Sequence, residues 1–339
     1  MKKISTFISI PIIVISILVL IDISYSGPEW SAKDLKILGT TVRIQVNHIK
    51  RSTRELAIKK VIEEFERIES KFSPFKKDSE LSIINAKAFK EDIKISDEMA
   101  ELLNFSLDVT RQTEGAFDIT YASIGHLYNF RTKSKPKDKV ISKAIPGIGI
   151  SNIVLDENNI IRFKHPETQI SFGGFAKGYA VKRGIDIIKG FGIENALVTA
   201  GGDSIVTGLK NGQKWKTGIQ APRGKPHAVY TFDLFNMAIS TSGDYERYFV
   251  DNTGGRIHHI FNPDTGKSVS DVQSVTVIGK DPMFTDALST AIFVLGIKKG
   301  IALAENLKGI ETLIIDNSGD LHKSTGFPKH IDFTQKTQQ

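Results

Sequence analysis

The chain has 339 residues, 40% of them hydrophobic and 24% charged, enough for one large or two medium globular domains with a substantial core. It contains no cysteine, which excludes disulfides, thiolate metal sites, a cysteine nucleophile and a lipidated N-terminal cysteine. The formal net charge of +7 is scattered, and the one short basic run, Lys133, Lys135, Lys137 and Lys139, sits among Ser134, Pro136 and Asp138 as a solvated loop would, so nucleic acid is not an expected partner.

Lys2 and Lys3 precede an uncharged, mostly apolar stretch from Ile4 to Ile21, which Asp22 ends. Ser24 and Ser26 supply small residues at the positions a signal peptidase reads, with Gly27 after them. Residues 1–26 are expected to be a cleaved signal peptide or an uncleaved N-terminal anchor, because the apolar stretch is close to the minimum length for crossing a bilayer. Either way the body of the chain is expected to be exported.

From Asp34 onward no Pro-, Ser- or Gly-rich linker divides the sequence, which predicts one α+β domain over 34–325 and a tail over 326–339. Lys36 to Val46 reads as a strand pair or a long strand. Ser52 and Glu55 have capping-box spacing, and Ile58, Val61, Ile62, Phe65, Ile68 and Phe72 recur at three and four, predicting an amphipathic helix. A second helix is predicted from an N-cap at Ser96 to a stop at Gly115, and 121–146 reads as a long irregular connection. The second half is strand-rich, with strands predicted at 160–172, 196–200, 215–220, 229–235, 237–241, 274–279 and 312–316. Helices are predicted at 175–189 and 284–295. Strands often follow one another directly, which argues against a doubly wound parallel sheet.

Several stretches carry chemistry. Gly173-Gly174-Phe175-Ala176-Lys177-Gly178 sits where a strand turns into a helix, so that free N–H groups, the helix dipole and a lysine could meet a phosphate. A tight turn that needs glycine for steric reasons would read the same way. Asp286 and Thr290 are four apart near a helix start and project from one face, a hard-oxygen pair suited to Mg2+ or, equally, a cap with a back-bonded hydroxyl. His258 and His259 precede the turn Asp264-Thr265-Gly266 and offer either a general base or a loop hydrogen bond. Ala200-Gly201-Gly202-Asp203 and Ser240-Thr241-Ser242-Gly243-Asp244-Tyr245 read as polar turns. Ser242 lacks the Gly-x-Ser-x-Gly elbow of a serine hydrolase.

Taken in order, these stretches resemble a known family. Gly115-Ala116-Phe117-Asp118, the Gly173–Ala180 stretch, Ala200-Gly201-Gly202-Asp203, Thr241-Ser242-Gly243-Asp244-Tyr245-Glu246-Arg247, His259-Ile260-x-x-Pro263-x-Thr265-Gly266 and Asp286-Ala287-Leu288-Ser289-Thr290 closely resemble the ApbE family of FAD:protein FMN transferases. Leu38-Gly39-Thr40 and Phe72-Ser73-Pro74-Phe75, with Ser79, Glu80, Leu81 and Asn85, match as well, so the resemblance covers about 35–320.

The resemblance implies a single T-fold-like domain with mixed or antiparallel sheets and packed helices. It implies Mg2+-dependent transfer of FMN from FAD to a Ser or Thr hydroxyl of an acceptor flavoprotein, with AMP leaving. By family position the metal ligands would be the Gly174 carbonyl, Asp286, Ser289 and Thr290. FAD contacts would fall at Leu38, Phe75, Ala116, Phe117, Asp118, Ser171, Lys177 and Ile260, and His259 would assist the attacking hydroxyl. Where the family commonly has an aspartate, this chain has Ser171. The family's acceptor motif, Asp-x-x-Ser/Thr-Gly-Ala-Ser/Thr, does not occur here and is expected in a separate partner. The expected location is the periplasm or the outer face of the cytoplasmic membrane, with membrane attachment through residues 1–26 if they stay. An FAD pyrophosphatase and a non-catalytic flavin carrier are the alternative functions.

Overall fold

The computed structural model describes residues 29–224, 227–252 and 254–331. The export segment over 1–26 and most of the predicted tail lie outside the described residues. The frame is one eight-stranded sheet, in spatial order Glu29–Ile37, Thr40–His48, Asn195–Ala200, Asp203–Thr207, Met237–Gly243, Val272–Gly279, Glu311–Asp316 and Leu321–Lys323. Every neighbouring pair in it is antiparallel, which narrows the expected mixed or antiparallel sheets to the second kind.

Among the described residues seven α-helices accompany the sheets: α1 Arg51–Phe72, α2 Glu80–Lys87, α3 Asp97–Gln112, α4 Ala122–Gly125, α5 Asp138–Ala144, α6 Ala176–Gly190 and α7 Pro282–Asn306. Helices α1, α6 and α7 pack side by side on one face of the main sheet. A separate hairpin, Trp215–Gln220 with Ala228–Leu234, covers the other face. Central strands are therefore buried on both sides, and their side chains alternate between two cores. Ile239, Ile278, Leu313 and Ile315 face Trp215 and Phe232, whereas Val275, Val277 and Ile314 face Leu288 and Ile292 of α7. All eight residues of Val272–Gly279 are buried, the polar Gln273, Ser274 and Thr276 included.

Local signals and structure differ in instructive places. The 36–46 segment is the pair of strands, closed by a turn in which Leu38 and Gly39 both have positive φ, 57° and 67°. The capping box at Ser52 and Glu55 does not form. Helix α1 begins two residues earlier, with Lys50 at the N-cap, and Glu55 instead pairs with Arg51 at 2.7 Å. The predicted 160–172 strand stops at Phe163, because His165-Pro166 opens a turn. Helix α7 runs well past 295 across a kink at Gly296, whose φ is 73°. It is long and apolar enough by composition to cross a membrane, yet it packs against five strands of the sheet. The four lysines between 133 and 139 are exposed.

Candidate active site

Helices α6 and α7 meet closely because position 178 is glycine. A Cβ there would lie 2.2 Å from the Pro282 carbonyl oxygen and 2.7 Å from Asp286 Cβ, well inside van der Waals contact. This crossing lets the Gly178 N–H donate to Asp286 Oδ2 at 2.8 Å. Asp286 is not the helix cap. Asp281 fills that role, accepting from the N–H groups of Met283 and Phe284 at 2.9 and 3.2 Å. Asp286 is thus left facing α6 from inside the helix, 2% exposed.

Lys177, in the first turn of α6, reaches across to two carboxylates. Its Nζ lies 2.7 Å from Asp203 Oδ2 and 3.5 Å from Asp286 Oδ2. Asp203 follows the Gly201-Gly202 turn, where Gly201 has φ 63° and a Cβ on Gly202 would come within 2.7 Å of the Thr241 carbonyl oxygen. The turn is thereby pressed against its neighbouring strand, and Asp203 is delivered into the interior at 1% exposure. Neither of its carboxylate oxygens makes a hydrogen bond, so the ammonium is held by charge. Two carboxyl groups thus share one buried ammonium. Burial first, and then the Asp203 charge, push the Asp286 carboxyl above the usual carboxylate range, against the pull of Lys177 and the Gly178 N–H. Burial draws the Lys177 ammonium down, but the two carboxylates outweigh it and raise its pKa.

Hydroxyls and a carbonyl complete the corner. Ser242 Oγ lies 2.7 Å from Ser289 Oγ and 3.4 Å from Thr290 Oγ1. Ser289 is fully buried and also donates to the Asp286 carbonyl at 2.8 Å. The Gly173-Gly174 turn runs directly beside Thr290, since a Cβ on Gly174 would sit 3.7 Å from Thr290 Oγ1 and 2.9 Å from the Phe117 ring. Among the described residues no three His, Asp or Glu side chains gather as a metal cluster. The donors here are instead the Asp286 carboxyl and the Ser242, Ser289 and Thr290 hydroxyls, with the Gly174 backbone alongside and Asp203 Oδ1 buried without a hydrogen-bond partner. That set fits a hard cation such as Mg2+, which uses few protein carboxylates.

The two histidines separate cleanly. His258 Nε2 is 2.6 Å from the Val269 carbonyl and its Nδ1 accepts from the Ile260 N–H at 3.2 Å, so both ring nitrogens hold the chain in place. His259 Nδ1 is buried with no partner. Burial, followed by the charges of Arg247, His258 and Lys177, pushes its pKa down to about 3. A vacant ring nitrogen can accept a proton, and an anionic substrate bound nearby would raise a pKa this low toward the range a general base needs.

The remaining predicted contacts surround this corner. Phe117 packs against Phe175 at the start of α6, ring centroids 6.2 Å apart, with Ala116 buried just before it. The Asp118 carboxylate caps the short 119–121 turn through the Thr120 N–H at 2.7 Å, and burial raises its pKa. Ser171 joins the same patch, donating its N–H to the Ile119 carbonyl at 3.0 Å and accepting from the Gly173 N–H at 3.1 Å. Ile260 is buried in the apolar cluster under α7. Leu38 donates its N–H to Glu69 Oε1 at 2.8 Å, and Glu69 also pairs with Lys76, so Leu38 and the Phe75 turn share one end of α1. Phe75 is 88% exposed, an unusual position for a phenyl ring. Sequence reasoning missed the buried side chain of Asp203 and the hydroxyl of Ser242, both of which lay inside motifs read as turns.

Comparison with known proteins agrees with this geometry. The ApbE family profile matches residues 38–314. The chain is 30% identical to the FAD:protein FMN transferase of Vibrio cholerae over 92% of this chain and 96% of that protein. It is also 30% identical to the enzyme of the same name from Haemophilus influenzae, over 89% and 91%. Among solved structures, the ApbE protein of Thermotoga maritima superposes with a TM-score of 0.82 at 34% identity, covering 88% of this chain and 98% of that one. The flavin transferase ApbE of Vibrio cholerae gives 0.78 at 27% identity, covering 89% and 99%. The motif order, the antiparallel α+β frame and matches along nearly the full length together establish that this chain belongs to the ApbE family.

Proposed function

We propose that this chain is an exported, Mg2+-dependent transferase that moves FMN from FAD onto a Ser or Thr hydroxyl of a flavoprotein and releases AMP. The observation that carries the reading is a histidine with a vacant ring nitrogen near the buried Lys177–Asp203–Asp286 cluster, in a chain whose relatives are named FAD:protein FMN transferases.

In this reading Asp286, Thr290 and the Gly174 carbonyl hold the cation, with Ser289 fixing Asp286 and Ser242 from behind. Bound there, Mg2+ would neutralise charge on the diphosphate of FAD. Phe75 and Leu38 sit at the outer end of the site, and Ala116, Phe117, Asp118, Ser171 and Ile260 line its approach as FAD contacts. His259 takes the proton of the acceptor hydroxyl as its oxygen bonds to the phosphorus on the FMN side. The phosphorus–bridging-oxygen bond breaks, AMP leaves, and the proton passes to solvent. Lys177 keeps Asp203 and Asp286 in place and adds positive charge beside the leaving phosphate.

The acceptor is proposed to carry the Asp-x-x-Ser/Thr-Gly-Ala-Ser/Thr motif that this chain lacks. The export segment expected over residues 1–26 supports a location of enzyme and acceptor in the periplasm or on the outer face of the cytoplasmic membrane. Incubation of the purified protein with FAD, Mg2+ and an acceptor-motif peptide is expected to add FMN to the peptide, and EDTA is expected to abolish the gain. No modification, with FAD bound and intact, refutes the proposal. N-terminal sequencing of exported protein starting at Gly27 would show cleavage, and a retained Met1 would show anchoring.

A further inference from the structure

Resting on the reading above, one cation beside the site has no use within the protein. The Arg247 side chain is exposed and, among the described residues, makes no hydrogen bond or ion pair. Its backbone position is nevertheless fixed. The strands Tyr248–Val250 and Arg256–His258 pair with Tyr248 opposite His258, and the His259 N–H donates to the Arg247 carbonyl at 3.1 Å. The ladder therefore continues by one pair, which sets Arg247 opposite His259 with both side chains on the same face. From there the guanidinium extends to the turn at Leu38 and Gly39. A Cβ on Gly39 would lie 3.9 Å from Arg247 Nη2. That turn is held with two successive residues at positive φ, and its Leu38 N–H is fixed by Glu69.

The segment before Arg247 is anchored as well. Buried Asp244 takes an ion pair from Arg223, and its N–H donates to the Gln273 carbonyl at 3.0 Å. Lys177 is already opposed by two carboxylates, and His259 is neutral in the free protein. An anion entering between the Leu38-Gly39 turn and His259 would meet Arg247 as the unopposed positive charge.

We propose that Arg247 is a phosphate-binding residue for the dinucleotide, gripping the FAD diphosphate between the Leu38-Gly39 turn and His259. A planar guanidinium can take two phosphate oxygens at once, which an ammonium cannot. Arg247 thereby distinguishes phosphate-bearing flavins from riboflavin, while the aromatic and apolar contacts bind the ring system common to both.

The test is a set of fluorescence titrations of FAD and riboflavin against the full folded domain with Mg2+ and no acceptor, intact FAD being checked by chromatography afterwards. Wild type is expected to bind FAD at least tenfold more tightly than riboflavin. Arg247→Gln is expected to weaken FAD binding by about tenfold or more, the typical loss for a charge-assisted hydrogen bond, and to leave riboflavin within about twofold. Arg247→Lys is expected to recover only part of the loss. Unchanged FAD affinity in Arg247→Gln overturns the inference, and so does an equal loss for both ligands. The wild-type titration separates the two claims. If wild type fails to bind FAD, the reading of the whole site falls, and Arg247 with it. If wild type prefers FAD and Arg247→Gln does too, only the role of Arg247 falls.

Discussion

Replacing Gly178 with alanine adds one methyl group at the contact that builds the site. Its Cβ would sit 2.2 Å from the Pro282 carbonyl oxygen and 2.9 Å from Met283 Cα, whereas ordinary contact begins at 3.4 Å. Both are backbone atoms and cannot swing aside, so α6 and α7 must part by about 1 Å. The 2.8 Å hydrogen bond from Gly178 to Asp286 would then open. Overpacking costs about 1–3 kcal/mol, and losing a hydrogen bond to a charged group about 1.5–3 kcal/mol. Together they predict a loss of about 2.5–6 kcal/mol, seen in thermal unfolding as a fall of roughly 5–12 °C. Displacing Asp286 by about 1 Å should also cost flavin transfer on the order of 100-fold. Gly190, near the end of the same helix, has nothing within 4 Å of its Cβ position. Gly190→Ala should therefore be neutral or stabilise by up to about 1 kcal/mol. If Gly178→Ala unfolds at the wild-type temperature and transfers FMN at the wild-type rate, the close crossing of α6 and α7 does not hold Asp286 in place.

Three further predictions rest on individual groups. Lys177→Met leaves Asp203 and Asp286 buried without a cation, which should destabilise by about 3–5 kcal/mol in urea unfolding, less at pH 5 than at pH 8 because a raised carboxyl pKa favours the protonated, folded form at low pH. His259 is held neutral down to about pH 3 in the fold but binds a proton near pH 6.5 when unfolded, so it removes stability as pH falls through 6.5. His259→Asn should be relatively more stable than wild type at pH 5 than at pH 7.5, by no more than about 2 kcal/mol, and equal pH profiles would contradict the buried neutral ring. Phe75→Ser should leave the unfolding temperature unchanged, since the ring is 88% exposed, while raising the KM for FAD several-fold. A fall in stability without a change in KM would mark Phe75 as structural.

Much of the frame was legible from local pattern. The three- and four-residue recurrence from Ile58 to Phe72 gave α1, and Ser96 caps α3 through the Met99 N–H as its sequence context indicates. Where local pattern misled, tertiary contact had decided the outcome. Glu55 had Arg51 as a partner and was not needed at the cap. Helix α2 is two turns long and follows Ser73-Pro74-Phe75, too short for periodicity to register. Gly296 interrupts α7 without ending it, because the residues beyond still pack on the sheet. The site was legible in a different way. Lys177, Asp286, Thr290 and His259 carry chemistry by residue type, and the motif order tied them together. Asp203 was hidden because an aspartate after two glycines reads as a turn residue. Its burial depends on a strand pairing some forty residues away, where Asp203 lies opposite Ser240.

The central claim is that a protein hydroxyl, and not water, receives the FMN. Flavinylated acceptor and AMP should be quantified together after incubating the protein with FAD, Mg2+ and an acceptor-motif protein, with Asp286→Ala as the inactive reference. The account predicts one AMP per flavinylated acceptor, no AMP when the acceptor Ser or Thr is replaced by Ala, and no product of either kind from Asp286→Ala. AMP and free FMN forming at the same rate without acceptor would contradict it and identify a pyrophosphatase.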